Sequence, residues 1–154
     1  MIAVIQRVKE TALVANGSPY SKISHGFFIL LGVLAGDDEI DAKLLADKIA
    51  KLRVFSDQNG KMNLSLSDVS GEALVVSNFT LAANYRHGNR PDFLRAALPS
   101  EADGLYRRFV DFLKDAGVPT VTGVFGADMQ IRTTADGPVT IVMDSAVLRK
   151  EPKV

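Results

Sequence analysis

Gly26-Phe27-Phe28-Ile29-Leu30-Leu31-Gly32-Val33 is an almost unbroken apolar run. A strand with one wet face alternates apolar and polar residues, whereas a run without polar interruption needs cover on both sides. The stretch therefore predicts a strand at the centre of a sheet, buried on both faces. Even extended to Ala35 it is far too short to span a bilayer.

Upstream, residues 2–8 and 13–15 predict further strand, the second leading into Asn16-Gly17. That dipeptide suits a tight hairpin turn because both residues tolerate positive φ. Downstream, Asp37 and Asp38 offer an N-cap, and Ile40, Leu44, Leu45, Ile49 and Leu52 recur at helical spacing. A turn at residues 57–60 precedes an alternating strand carrying Met62, Leu64 and Leu66, and residues 74–79 predict another. A second helix has Ser100 as its cap, a stripe of Leu105, Phe109, Phe112 and Leu113, and a stop at Gly117 and Pro119. Residues 121–125, 129–133 and 139–143 supply the remaining strands, with Gly137-Pro138 opening the last. About seven short strands and two long helices make an α+β fold: a single domain with a curved, barrel-like, mainly antiparallel sheet packed by the helices. No linker or repeat divides the 154 residues. The domain is expected over 1–148, with 149–154 as a frayed C-terminal tail.

Eighteen basic residues balance eighteen acidic ones. A protein that coats a nucleic-acid duplex carries a basic excess, so a DNA partner is not expected and any RNA contact is local, with one end of a strand. Cysteine is absent, which removes thiol nucleophiles and thiolate metal sites. His25 and His87 are the only histidines and lack the ligand company zinc requires, so no metal is expected. The first residues do not read as a signal peptide, because Gln6 and Arg7 interrupt the apolar run. A cytoplasmic protein with no membrane partner is expected.

Ser77 and Thr80 are hydroxyls without a nearby base, readable as nucleophiles or as strand-end groups bonded to backbone. Asp37, Asp38, Glu39 and Asp41 crowd a helix start, where capping explains them. Arg86, His87, Arg90 and Arg95 share one stretch with a single acid, Asp92. This is either a solvated loop or a small rim for a few phosphates.

Taken in order, these segments resemble the D-aminoacyl-tRNA deacylase family. The match runs from Ile2-Ala3-Val4-Ile5-Gln6-Arg7-Val8 through Leu30-Leu31-Gly32-Val33 and Gly60-Lys61-Met62-Asn63-Leu64-Ser65. It continues with Leu74-Val75-Val76-Ser77-Asn78-Phe79-Thr80, Arg90-Pro91-Asp92-Phe93, Phe125-Gly126-Ala127-Asp128-Met129 and Asp136-Gly137-Pro138-Val139. The resemblance implies a homodimeric, cofactor-free hydrolase of the ester joining a D-amino acid to the 3′ end of tRNA, with mischarged glycyl-tRNA as a further substrate. It places catalysis at Ser77, Asn78, Phe79 and Thr80. It places substrate contacts at Gly137, Pro138, Arg7, Met129 and Ala127. The Gly-Pro bond would be cis and reach across the dimer, its carbonyls crowding the side chain of an L-amino acid. Arg7 would hold that loop by its carbonyls, and the ribose 2′-hydroxyl would assist proton transfer. Two residues depart from the family pattern: Asn78 stands where glutamine is usual, and Ala135 where asparagine is usual. These departures motivate an alternative, a non-hydrolytic module that binds the charged tRNA 3′ end. A hydrolase of another small D-amino-acid ester is a third reading.

Overall fold

The computed structural model describes residues 1–150. In chain order the elements are β1 (Ile2–Ala15), β2 (Ser18–Ile23), β3 (Gly26–Gly32), α1 (Glu39–Ala50), β4 (Phe55–Ser56), β5 (Met62–Leu64), β6 (Glu72–Ser77), α2 (Pro99–Asp115), β7 (Thr120–Thr122) and β8 (Met129–Asp144). The main sheet runs β2-β1-β3-β6-β7, and β8 lines the whole of β1. On its other edge β1 pairs first with β3 and then, beyond Glu10, with β2. The β1 pairings are antiparallel; β3–β6 and β6–β7 are parallel. The ends of the sheet nearly meet, because the Ser21 hydroxyl on β2 donates to the Thr122 carbonyl of β7 at 2.8 Å. The result is a nearly closed, barrel-like mixed sheet with two helices, as the sequence predicts.

The apolar run on β3 is covered twice. Phe27, Ile29 and Leu31 face the core under the helices, whereas Phe28 and Leu30 face a second core inside the barrel with Leu13, Leu74 and Val76. Packing one strand face against helices and the other against the curled sheet removes the need for polar alternation. Helix α2 buries Tyr106, Phe109, Val110 and Leu113. Helix α1 contributes Ala42, Leu45, Ala46 and Ile49, and Ile40 stays exposed. The expected α1 stripe is thus rotated toward two alanines, whose small side chains let the helix sit close to the sheet.

Other boundaries differ from expectation for local reasons. Residues 2–15 form one strand, turned over at Asn16 (φ 50°) and Gly17 (φ 82°). Residues 129–144 also form one strand, so Gly137-Pro138 does not open a strand but lies inside β8. The ladder passes from Gln6–Thr140 to Val8–Ala135, which threads extra residues on β8 and pushes residues 136–139 out as a bulge. There β1 also changes sides: Ala3 and Ile5 serve the helix core, and Val8 and Leu13 the barrel core. Ser100 does not cap α2, because Pro99 already occupies its first turn and Leu98 is the cap position. β6 stops at Ser77, where the Asn78 side chain turns the backbone into a 3-10 turn over Phe79–Ala82. No described helix is long and apolar enough to cross a membrane.

Asp38 caps α1 in a reciprocal box with Asp41. Asp41 also receives Arg149, Nε at 2.9 Å and Nη2 at 2.6 Å. Arg149 opens the expected tail; residues 151–154 lie outside those described. The Arg149 guanidinium, helped by the Asp38 N–H, holds the Asp41 carboxyl far below the ordinary carboxylate range despite its burial. A depressed carboxyl pKa stabilises the fold fully above the unfolded value, and that contribution fades as pH falls through and below it. Asp41→Asn should therefore melt below the wild type at pH 7, with the gap narrowing toward pH 2. A gap that stays constant across thermal melts over this range would remove the ion pair from the account.

Candidate active site

A recess of about 760 Å³ opens beside the C-terminal end of β6. Three segments wall it: Val76 to Phe79, Phe93 to Pro99, and Phe125 to Met129. Leu30 and Ile131 also line it, so the lining is mainly apolar, with Ser77, Asn78 and Asp128 as its polar residues.

The polar edge is built by close packing. Asn78 is pinned to β3 by its N–H, which donates to the Leu31 carbonyl at 2.8 Å. Gly32 permits the turn that follows: a Cβ there would stand 2.9 Å from the Leu81 Cβ and 3.2 Å from the Asn78 carbonyl oxygen. Asn78 Oδ1 accepts the Thr80 N–H at 3.2 Å and the Thr80 hydroxyl as well. Phe79 is 58% exposed and meets Phe93 edge to face at 5.1 Å. The Phe79 N–H has no acceptor among the described residues. Thr80 is exposed and does not line the recess; its hydroxyl proton is committed to Asn78.

The Gly137-Pro138 peptide is cis and lies elsewhere. Arg7 donates from Nε to the Asp136 carbonyl at 3.1 Å and from Nη1 to the Val54 carbonyl at 2.7 Å, tying the bulge to the barrel. Asp136 Oδ2 lies 3.3 Å from the same Nε. In the sheet register, Val8 at the bulge pairs with Gly26, whereas Ser77 pairs with Leu31. Five strand steps of about 3.3 Å put the two corners roughly 17 Å apart along β3. Ser77, Asn78, Phe79, Ala127 and Met129 thus share the recess, and Arg7, Gly137 and Pro138 share a separate corner.

A family model described as D-Tyr-tRNA(Tyr) deacylase matches residues 4–144. A D-aminoacyl-tRNA deacylase of Geobacter metallireducens is 52% identical over 145 residues, spanning 94% of this chain and 96% of that protein. The chain belongs to the D-Tyr-tRNA(Tyr) deacylase family. Another D-aminoacyl-tRNA deacylase, of Chloroflexus aurantiacus, is 53% identical over 149 residues, spanning 97% of this chain and 93% of that protein. Among solved structures, the c-Myc DNA Unwinding Element Binding Protein superposes with a TM-score of 0.87 at 37% identity, over 94% of this chain and 98% of that one. A probable eukaryotic D-amino acid tRNA deacylase superposes at 0.80 with 18% identity, over 92% and 97%, and shares the fold.

Asn78 serves as the cap of the 3-10 turn. Asp136 has its backbone carbonyl on Arg7. The recess also uses Leu30, Phe93, Ala96 and Phe125, to which sequence reading assigned no role in the site. Phe93 carries the one legible hint: an aromatic next to a polar loop and outside any helical or strand period.

Proposed function

We propose that the chain hydrolyses the ester of D-aminoacyl-tRNA, with its recess receiving the aminoacylated 3′ end. The unpaired N–H of Phe79 at the polar edge of an apolar recess carries this reading. A donor held by fixed backbone can meet the oxyanion that forms when water attacks the ester carbonyl. The bond from that carbon to the ribose 3′ oxygen then breaks. The water proton passes, through the neighbouring 2′-hydroxyl, to the leaving oxygen, giving a free D-amino acid and tRNA. This route requires no side-chain base, although Asp128 also lines the recess.

Chiral rejection is assigned to Gly137-Pro138 of a second copy. The two corners stand too far apart in one chain to share a substrate, so the pocket of one protomer takes the wall of another. The Gly137-Pro138 segment is exposed and can protrude. Beside it, Val139, Ile141 and Met143 are only half covered, and β8 has no ladder partner besides β1 among the described residues. A second copy can cover that apolar edge. A rigid carbonyl wall excludes an L side chain, leaves a D side chain unread and admits glycine, which has none.

Purified protein should release D-tyrosine from D-tyrosyl-tRNA, and Thr80→Ala should retain at least about a third of the activity, because its hydroxyl only braces Asn78. Loss beyond ~1000-fold in a folded Thr80→Ala protein would instead make the hydroxyl a nucleophile. Binding of charged tRNA without turnover would favour the non-hydrolytic module.

A further inference from the structure

We infer that residues 84–95 form a tongue that seats the unpaired RNA nucleotides leading into the recess; this rests on the function proposed above. The tongue is a built feature. Asn84 and Asp92 exchange both backbone hydrogen bonds, at 2.8 and 3.0 Å, and Asn84 Nδ2 donates to Asp92 Oδ2 at 2.8 Å. The same carboxylate accepts the Leu94 N–H at 3.2 Å. The single acid of the stretch is therefore spent closing the neck, while Arg86, His87 and Arg90 stand exposed beyond it.

Pairing separates these arginines from most others. Arg7, Arg107, Arg108 and Arg149 each lie against a carboxylate. Arg86, Arg90 and Arg95 have no ion-pair partner among the described residues and are all exposed. Tyr85, 80% exposed, stands next to Arg86 and is packed by no ring. Free guanidinium groups interleaved with an open aromatic ring are the equipment of single-strand recognition: rings stack on bases and cations track phosphates.

Position fixes the ligand. The chain leaving the neck runs on through Phe93, Ala96 and Ala97, which wall the recess, and the Arg95 carbonyl anchors the segment by accepting the Ala35 N–H at 2.9 Å. A 3′ end with its last residue in the recess can lead away past this segment. Three cations suit two or three phosphates, whereas a duplex needs a broader basic face.

The test is binding of an uncharged acceptor-stem hairpin with a four-nucleotide 3′ overhang, titrated against salt. Three single-strand phosphate contacts predict a log–log salt slope of about −2, so affinity falls roughly 20-fold between 50 and 200 mM salt. The triple variant Arg86→Ala/Arg90→Ala/Arg95→Ala should flatten that slope toward zero, and Tyr85→Ala should weaken binding by roughly tenfold without changing it. In hydrolysis, the triple variant should lose activity on D-tyrosyl-tRNA but not on a D-tyrosyl ester of adenosine, which is too short to reach the tongue. An unchanged slope, equal affinity of the wild type for a blunt hairpin, tighter binding of an acidic peptide, or equal loss on both esters would overturn the inference. If the wild type cleaves neither ester, the hydrolase reading fails, and the binding arm still decides the tongue.

Discussion

Pro138→Trp is expected to reduce hydrolysis of D-aminoacyl-tRNA by at least ~100-fold while leaving the protein folded. The bulge that carries Pro138 is exposed, so an indole there meets solvent in an isolated chain. Its own recess lies roughly 17 Å away along β3, beyond the reach of any side chain. Only a recess belonging to another copy can be filled by it. Ala127→Trp blocks the recess from inside, since Ala127 lines it. Each variant alone should be inactive. Unfolded and refolded together in equal amounts, half of the dimers are mixed, and each mixed dimer joins one intact recess to one intact wall. About a quarter of wild-type activity should return. Full activity in Pro138→Trp, or a mixture that stays dead although dimers form, would show that Gly137-Pro138 serves no neighbouring site.

Gly26→Ala is expected to destabilise the fold severely. A Cβ at this position would stand 1.9 Å from the carbonyl oxygen of Glu72 and 2.7 Å from its nitrogen. Both are backbone atoms of β6, paired in parallel with β3 at that point, and neither can swing aside. Relief requires parting the two central strands, which carry both cores, at a cost of about 4 kcal/mol or more. Gly104→Ala is the control. Gly104 lies inside α2 with nothing within 4 Å of its Cβ position. Alanine there should stabilise by about 0.5–1 kcal/mol, since it improves helix propensity without contact. Circular dichroism and thermal melts read both, and a well-folded Gly26→Ala protein would contradict the packing described for β3 and β6.

The central architecture was legible where one physical demand dominates a short stretch. The apolar run at 26–33 needs two covered faces, and Asn16-Gly17 needs positive φ; both appear as read. Legibility failed where a distant element decides. Gly137-Pro138 reads as punctuation between two strands, yet β1 runs alongside without a break and carries the bulge within a single ladder. Ile40 fits a helical period, but two alanines allow closer approach and win the buried face. For the site, Ser77 stood out only as a hydroxyl of open role, and Asn78, Phe79 and the segment through Ala127 and Met129 were reachable only through family resemblance. Phe93 joins them through its contact with Phe79, which depends on how residues 84–95 fold back. Arg7 likewise meets Asp136 across a sequence separation that no local pattern encodes.

The most direct test of the central claim is hydrolysis of D-tyrosyl-tRNA and L-tyrosyl-tRNA side by side by the purified protein. Rapid loss of the D ester is expected, with the L ester surviving at least ~100-fold longer, because a backbone wall admits one hand only. Equal hydrolysis of both esters would contradict the wall, and survival of both at high enzyme concentration would contradict the hydrolase.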